Sequence, residues 1–164
     1  MIVEFWIGGE RDFASSRSEV QNAVARALAE LKSERQVPVG FSAGAKASFH
    51  VFDVPAGSEI PRFADNSLTV GVNRDTGFGG MTWWGEKIPE HGDQVYWITK
   101  NEDPPTFDPR VTADPGYPLW YDRRNVLPVG QVAAAIEEFC LDNGRRPTLV
   151  SWEPGTVNGQ RLEA

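Results

Sequence analysis

Hydrophobic and polar residues alternate in short runs along this chain, a pattern typical of half-buried β-strands. The clearest run covers residues 67–84, where Leu68, Val70 and Val72 fall on one face of the first half. Residues 73–77, Asn-Arg-Asp-Thr-Gly, then supply side chains that tolerate turn geometry and a glycine that accepts positive φ. The pattern therefore predicts a β-hairpin.

Weaker versions of the same alternation predict the other strands. They lie at residues 2–7, 48–54, 94–99, 118–121 and 148–152. Because 94–99 follows the hairpin after a short polar loop, we expect it to pair as a third antiparallel strand. Residues 100–116 hold several prolines and acids and few apolar side chains, which predicts a long functional loop rather than part of a core.

A first helix is predicted from Ser16 onward. Ser16 and Glu19 have the spacing of a capping box, in which the hydroxyl and the carboxylate satisfy free amide protons at the helix start. Apolar residues then recur at steps of three and four as far as Leu31, while polar residues up to Ser33 face away. One face of this helix should cover a sheet.

A second helix is predicted to open at Leu127 and Pro128, because proline is well tolerated at the first helical position. Its apolar stripe runs from Val129 to Cys140, and residues 143–144, Asn-Gly, form a stop signal. The paired acids Glu137 and Glu138 are expected to face solvent.

Together these elements predict an α+β fold, with a mostly antiparallel sheet of about six strands packed with two main helices. The 164 residues suit a single domain over residues 1–164, and the polar stretch 153–164 is expected to be a frayed tail.

Composition narrows the functional classes. The net charge of −7 argues against direct binding to nucleic acid, whose phosphates would be repelled, and allows a basic partner. A single cysteine excludes an intrachain disulfide, and no apolar run reaches the roughly 18 residues of a membrane helix. The N-terminal residues turn acidic too early for a secretory signal, so we expect a cytoplasmic protein.

Catalytic and metal-binding motifs are not recognisable in the sequence. His50 and His91 lie far apart and have no nearby metal-ligand partners, so neither a metal nor a cofactor is expected. We interpret His50 as a core residue whose hydrogen bonds are made within the protein, and Cys140 as a thiol packed on the second helix. Two other readings stay open: a small enzyme whose cleft is lined by Trp97, Tyr121 and nearby acids, and a general protein-interaction module.

Negative charge is concentrated between residues 86 and 108, where six acids face only two lysines. Aromatic side chains surrounded by negative charge suit a protein–protein site that binds a basic surface. The alternative is that half of the local aromatics belong to the core and the acids are merely solvated. The candidate partner-binding residues are Glu86, Glu90, Asp93, Glu102, Asp103 and Asp108, with Trp84, Tyr96 and Phe107 as anchors.

Several motifs resemble a known family. Residues 68–73 read LTVGVN, 77–84 read GFGGMTWW, 127–139 read LPVGQVAAAIEEF and 143–153 read NGRRPTLVSWE. In this order they resemble the first-described immunity protein family of bacterial polymorphic toxin systems, whose members are often encoded beside deaminase toxins. The N-terminal third and residues 104–118 carry no recognised motif.

The resemblance implies a function without catalysis. A member of this family would bind the C-terminal domain of a cognate toxin and obstruct its active site. A toxin that modifies nucleic acid presents a basic groove, to which an acidic, aromatic-bearing surface is complementary. The matched residues Gly77, Trp83 and Trp152 are interpreted as structural. Arg145 or Arg146 is expected to interact with a carboxylate or with the carbonyl groups at the end of the preceding helix.

Overall fold

The computed structural model describes residues 1–32 and 34–162, so Ser33 of the predicted polar helix face and the last two residues of the tail lie outside it. In this part of the chain there are twelve strands and two α-helices. The strands are β1 (Ile2–Ile7), β2 (Glu10–Ala14), β3 (Arg35–Gln36), β4 (Phe41–Ser42), β5 (Lys46–Phe52), β6 (Ser67–Asn73), β7 (Phe78–Trp84), β8 (Tyr96–Lys100), β9 (Thr112–Asp114), β10 (Leu119–Trp120), β11 (Leu127–Pro128) and β12 (Ser151–Pro154). The helices are α1 (Arg17–Glu30) and α2 (Val129–Leu141), and single 3₁₀ turns cover Pro89–His91 and Arg123–Asn125.

The main sheet is antiparallel and has eight strands, seven of them in the order β12-β8-β7-β6-β5-β1-β2. The eighth, β11, pairs with the first two residues of β7, on the same edge of β7 as β8. The α+β prediction is confirmed, as is the hairpin, in which Ser67 pairs with Trp84 and Asn73 with Phe78. The sheet has eight strands, where about six were predicted. The missed edge strand β2 is mostly exposed, so its sequence lacks the apolar alternation of a half-buried strand.

Both helices lie on one face of the sheet and form the main core with it. The capping box of α1 is present: Glu19 N donates to Ser16 Oγ, and its carboxylate accepts from the Ser16 amide. Helix α2 ends as predicted, since Asn143 and Gly144 both have positive φ, of 53° and 76°. Buried residues of this core come from both helices and from β1, β5, β6, β7 and β8.

A second layer covers part of the opposite face, and two glycines make room for it. Gly71 on β6 and Gly80 on β7 are direct cross-strand partners. A Cβ on Gly71 would lie 2.0 Å from the carbonyl oxygen of Thr112, and one on Gly80 would lie 2.6 Å from the Tyr121 ring. The absence of both side chains lets this layer approach the sheet backbone directly.

The prediction that residues 100–116 stay out of the core is therefore wrong. Val111 and Ala113 are buried beside Ile98, and β9 forms within the same segment. The Tyr121 hydroxyl lies 2.8 Å from the Thr82 hydroxyl, which fixes the ring on the sheet. The segment looked too polar because its apolar residues are few and are gathered at one end.

Residues 153–162, expected to fray, are held against the rest of the protein. Arg161 forms an ion pair of 2.5 Å with Glu153, and Gly155 pairs with Arg161 as an isolated bridge. The Gly155 amide donates to Tyr96 O at 3.0 Å. Main-chain hydrogen bonds of this kind do not show in a hydrophobic pattern.

The glycine pair yields a stability prediction. Gly71→Ala should lower the free energy of unfolding by about 3 kcal/mol, because the new methyl group must displace the backbone at Thr112. Gly130→Ala is the matched control, since Gly130 lies in α2 with open space at its Cβ position and should gain about 0.5 kcal/mol. Urea denaturation measures both. An unchanged midpoint for Gly71→Ala would contradict the close approach.

Candidate partner-binding site

The structure divides the predicted acidic residues into two groups at opposite ends of β8. Residues 85–95 join β7 to the first residue of β8, Tyr96, whereas residues 101–111 leave its last residue, Lys100. Five extended residues span roughly 14 Å from the first Cα to the last. The sequence places all six acids within 23 positions, but the intervening strand separates them into two loops.

The first group comprises Glu86, Glu90 and Asp93, and all three are exposed. Asp93 forms an ion pair of 2.6 Å with Lys87, which lowers the pKa of its carboxyl through this hydrogen bond and charge. Glu86 and Glu90 form no ion pair with any described residue. Their charges are available to a partner.

The second group comprises Glu102, Asp103 and Asp108, also exposed. Glu102 pairs with Lys100 at 2.8 Å, and Asp108 accepts a hydrogen bond from the Arg110 amide at 2.9 Å. Asp103 is not in an ion pair with any residue that the structure describes.

Phe107 projects from this second loop. Its side chain is 50% exposed and packs edge-on against Phe78, with 5.9 Å between ring centroids. Because Phe78 is the first residue of β7 and Trp84 the last, the predicted anchors Phe107 and Trp84 lie at opposite ends of one strand.

Trp84 and Tyr96 are direct cross-strand partners on the face of the sheet opposite the helices. Both are half-buried, and with Thr69 and Val157 they border a depression of about 180 Å³. Val157 is itself 58% exposed. A depression bordered by two aromatic side chains beside the first acidic loop is a suitable anchor point for a protein partner.

The aromatic residues of the proposed enzyme cleft do not form one. Trp97 is buried in the helix-facing core, and Tyr121 is buried in the second layer on the opposite face. Their accessible fractions are 4% and 2%. The expectation that part of the local aromatic set belongs to the core is confirmed for these two.

A second aromatic group on the same open face was missed from sequence. Trp6 and Phe13 are 39% and 41% exposed, and the Arg11 guanidinium lies over both rings. Arg11 also pairs with Glu4, which is almost completely buried. Positions 2, 4 and 6 alternate with the core positions of β1, so the strand pattern contained this signal.

A cleft of about 450 Å³ opens where the chain turns after α2. Trp83, Glu86, Gly144 and Arg146 are among the residues that line it. The indole Nε1 of Trp83 donates to Gly144 O at 3.0 Å, and this bond joins the sheet to the turn. The first acidic loop thus borders the family motif at residues 143–147, although the two are far apart in sequence.

The two arginines of this motif behave differently. Arg145 is exposed and lies 3.4 Å from Asp142, so the expectation that one arginine braces a carboxylate is met by this residue. Arg146 is half-buried, with its guanidinium carbon 4.2 Å from the centre of the Trp97 ring. Burial alone lowers the pKa of Arg146.

Glu138 holds the segment that follows this turn, which corrects the expectation that it faces solvent. Its carboxylate accepts hydrogen bonds from the Thr148 amide at 2.8 Å, the Thr148 hydroxyl at 2.7 Å and the Leu149 amide at 3.0 Å. Burial opposes ionisation, but these bonds outweigh it and lower the pKa of Glu138. Glu137 is partly exposed and accepts from Gln21 on α1.

The other candidate groups contact neighbouring parts of the fold, with Cys140 buried, His50 half-buried and His91 exposed. His50 lies 3.0 Å from Asn66 O through Nδ1, and His91 contacts the Trp97 ring. Cys140 is fully buried, and desolvation raises the pKa of its thiol. In residues 1–32 and 34–162, no three His, Cys, Asp or Glu side chains are grouped so that they could hold a metal ion.

The fold and these surfaces define the class: an α+β protein with two acidic loops at the ends of one strand of its sheet. A family model described as immunity protein Imm1 matches residues 8–154. The chain therefore belongs to the Imm1 family, and it is an immunity protein against a bacterial toxin. No curated protein and no solved structure matches the chain.

The family match confirms the resemblance seen in the motifs from residue 68 onward. It also includes residues 8–67 and the loop 104–118, in which no motif was recognised. No helix in the described part of the chain is both long and apolar enough to cross a membrane.

The Glu138 contacts predict a pH-dependent contribution to stability. Because the folded-state pKa is lower than the ordinary value, the contribution is present above about pH 4.5 and is lost as the pH falls through the folded-state pKa. Glu138→Gln should cost about 1 kcal/mol near neutral pH, and the difference from wild type should shrink toward about pH 3.

Urea denaturation across this pH range tests the prediction, with Glu137→Gln as the matched control. Among the described residues, Glu137 accepts only from exposed side chains of α1, so its replacement should change stability little. A difference for Glu138→Gln that does not depend on pH would contradict the role of the carboxylate.

Proposed function

We propose that this immunity protein neutralises the C-terminal domain of its cognate toxin by covering the toxin's active site, without chemistry of its own. The toxin is a basic, nucleic-acid-targeting enzyme, a deaminase or a nuclease, and neutralisation takes place in the cytoplasm. The observation that carries the proposal is the exposed charge of Glu86 and Glu90, without an ion pair in residues 1–32 and 34–162, next to the half-buried pair Trp84 and Tyr96.

Charge supports a basic partner. An enzyme that acts on nucleic acid needs a positively charged groove to hold the phosphates. Carboxylates on the immunity protein compete for the same groove, and the net charge of −7 speeds encounter. The six acids of the two loops therefore act as the charged contacts, with Glu86, Glu90 and Asp103 free of ion pairs among the described residues.

Aromatic side chains supply the burial that charge alone does not. Trp84 and Tyr96 border the depression beside the first loop, and Phe107 projects from the second. Large aromatics at the centre of an interface, surrounded by charges, are the usual source of binding energy. Because the loops lie at opposite ends of β8, whose middle residues 97–99 are buried, the toxin would reach both ends of this strand without contacting its centre.

Co-expression tests this function directly. The toxin domain encoded immediately upstream should arrest growth alone, and growth should recover when the immunity protein is present. Both proteins should co-purify, and the purified complex should lack the toxin's activity on nucleic acid. Recovery of growth without a complex would contradict neutralisation by binding.

Charge reversal distinguishes the contributions of the two loops. Glu102→Lys with Asp103→Lys, and separately Glu86→Lys with Glu90→Lys, should each weaken toxin binding by about tenfold or more while leaving the fold intact. The association rate should fall more than the dissociation rate rises, because these side chains are exposed. Surface plasmon resonance at two salt concentrations measures both rates.

The matched control is Asp53→Lys with Glu59→Lys. These residues are exposed in the connection between β5 and β6, and the double change alters the net charge by the same amount. It should affect binding much less than either loop variant. Equal losses in all three variants would indicate a dependence on total charge and remove the loops from the interface.

A further inference from the structure

The guanidinium of Arg146 has no anionic partner among the described residues. Its Nη1 is buried without a hydrogen-bond partner, and no carboxylate of residues 1–32 or 34–162 lies within ion-pair distance of the guanidinium. A half-buried cation normally has a compensating anion, because desolvating an unpaired charge is costly. Here the contacts are two indole rings, with the guanidinium carbon 4.2 Å from the Trp97 centroid and 5.9 Å from that of Trp83.

The surrounding residues fix the position of this guanidinium. Trp97 is packed on His91 with 4.6 Å between ring centroids, and Trp83 is bonded to the backbone of Gly144. Pro147 is buried directly after Arg146, and its carbonyl accepts from the Trp152 indole at 2.8 Å. A planar guanidinium held by stacking is oriented before any ligand arrives, which lowers the entropic cost of binding.

The cleft in front of Arg146 accommodates a side chain from another protein. Its volume of about 450 Å³ falls within the range of pockets that hold small molecules, roughly 300–1,000 Å³. Asp65 and Glu86 line the same cleft. Lys87 and Arg145 line it as well, so the two acids are offset and one further carboxylate would balance the single charge of Arg146.

We propose that Arg146 binds a carboxylate side chain of the cognate toxin in this cleft. The inference rests on the proposed function and adds to it one contact of the opposite charge, at the border of the first acidic loop. The chemistry of the toxin class allows for it, because deaminases keep a glutamate and metal-dependent nucleases keep acidic ligands within an otherwise basic groove. Acids on the rim meet the basic groove, and Arg146 meets the carboxylate within it.

Arg146→Met tests this proposal because methionine keeps the apolar stem and removes the charge. The thermal midpoint of the free protein should stay unchanged or rise, since an unpaired, partly desolvated cation is lost. Affinity for the purified toxin domain should fall about 30-fold or more, the loss expected when one partner of a desolvated ion pair is removed. A purely structural role for Arg146 predicts the reverse, a lower thermal midpoint.

Arg17→Met is the matched control, because Arg17 is an exposed arginine of α1 that lies outside the cleft and faces Glu137. It should bind the toxin nearly as well as wild type. If Arg146→Met also binds as well as wild type, the inference is overturned, while the binding of wild type still supports the proposed function. If wild type does not bind the toxin domain, both the function and the inference fail.

A double-mutant cycle decides the case in which Arg146→Met is poorly folded. Each carboxylate in the toxin's substrate groove is changed to the corresponding amide, and its effect is measured against wild type and against Arg146→Lys, which keeps the charge but not the planar stack. One of these toxin changes should reduce the affinity by a factor about ten times smaller for Arg146→Lys than for wild type. If every carboxylate change reduces the affinity equally for Arg146→Lys and for wild type, the assignment is overturned.

Discussion

The close approach of the second layer to the sheet at the Gly71 and Gly80 pair determines how this fold is arranged. With no side chains at these positions, β9 and Tyr121 lie directly on the sheet, opposite the two helices. This second layer covers the end of β7 that begins at Phe78, and it leaves Trp84 and Tyr96 accessible at the other end. The position of the open face, and hence of the proposed toxin contact, follows from this constraint.

The hairpin, both helices and the α+β class could be predicted because their signals are local. The capping box at Ser16 and the positive-φ stop at residues 143–144 each depend on side chains a few positions apart. Strand β9 could not be found in this way, because its burial depends on a glycine about 40 positions earlier in the chain, Gly71. The tail after Pro154 is held mainly by backbone contacts and one ion pair, which leave no periodic pattern.

The same limitation applies to the candidate site. Its residue types were accessible from sequence, since charge and aromatic content can be counted, but their arrangement was not. Residues 86–108 form one acidic cluster in the sequence and two loops in the structure, because β8 runs between them. The contact of Glu86 with the cleft at Arg146 depends on sheet geometry, and the sequence offered only the Arg-Arg pair itself as a signal.

We propose that the toxin covers the two acidic loops at the ends of β8. Hydrogen–deuterium exchange of the free protein and of its complex with the toxin domain measures this most directly. Exchange in the complex should be slower at residues 85–96, 101–108 and 143–147 and unchanged on the outer surface of α1. Slower exchange confined to α1, with both acidic loops unchanged, would contradict it.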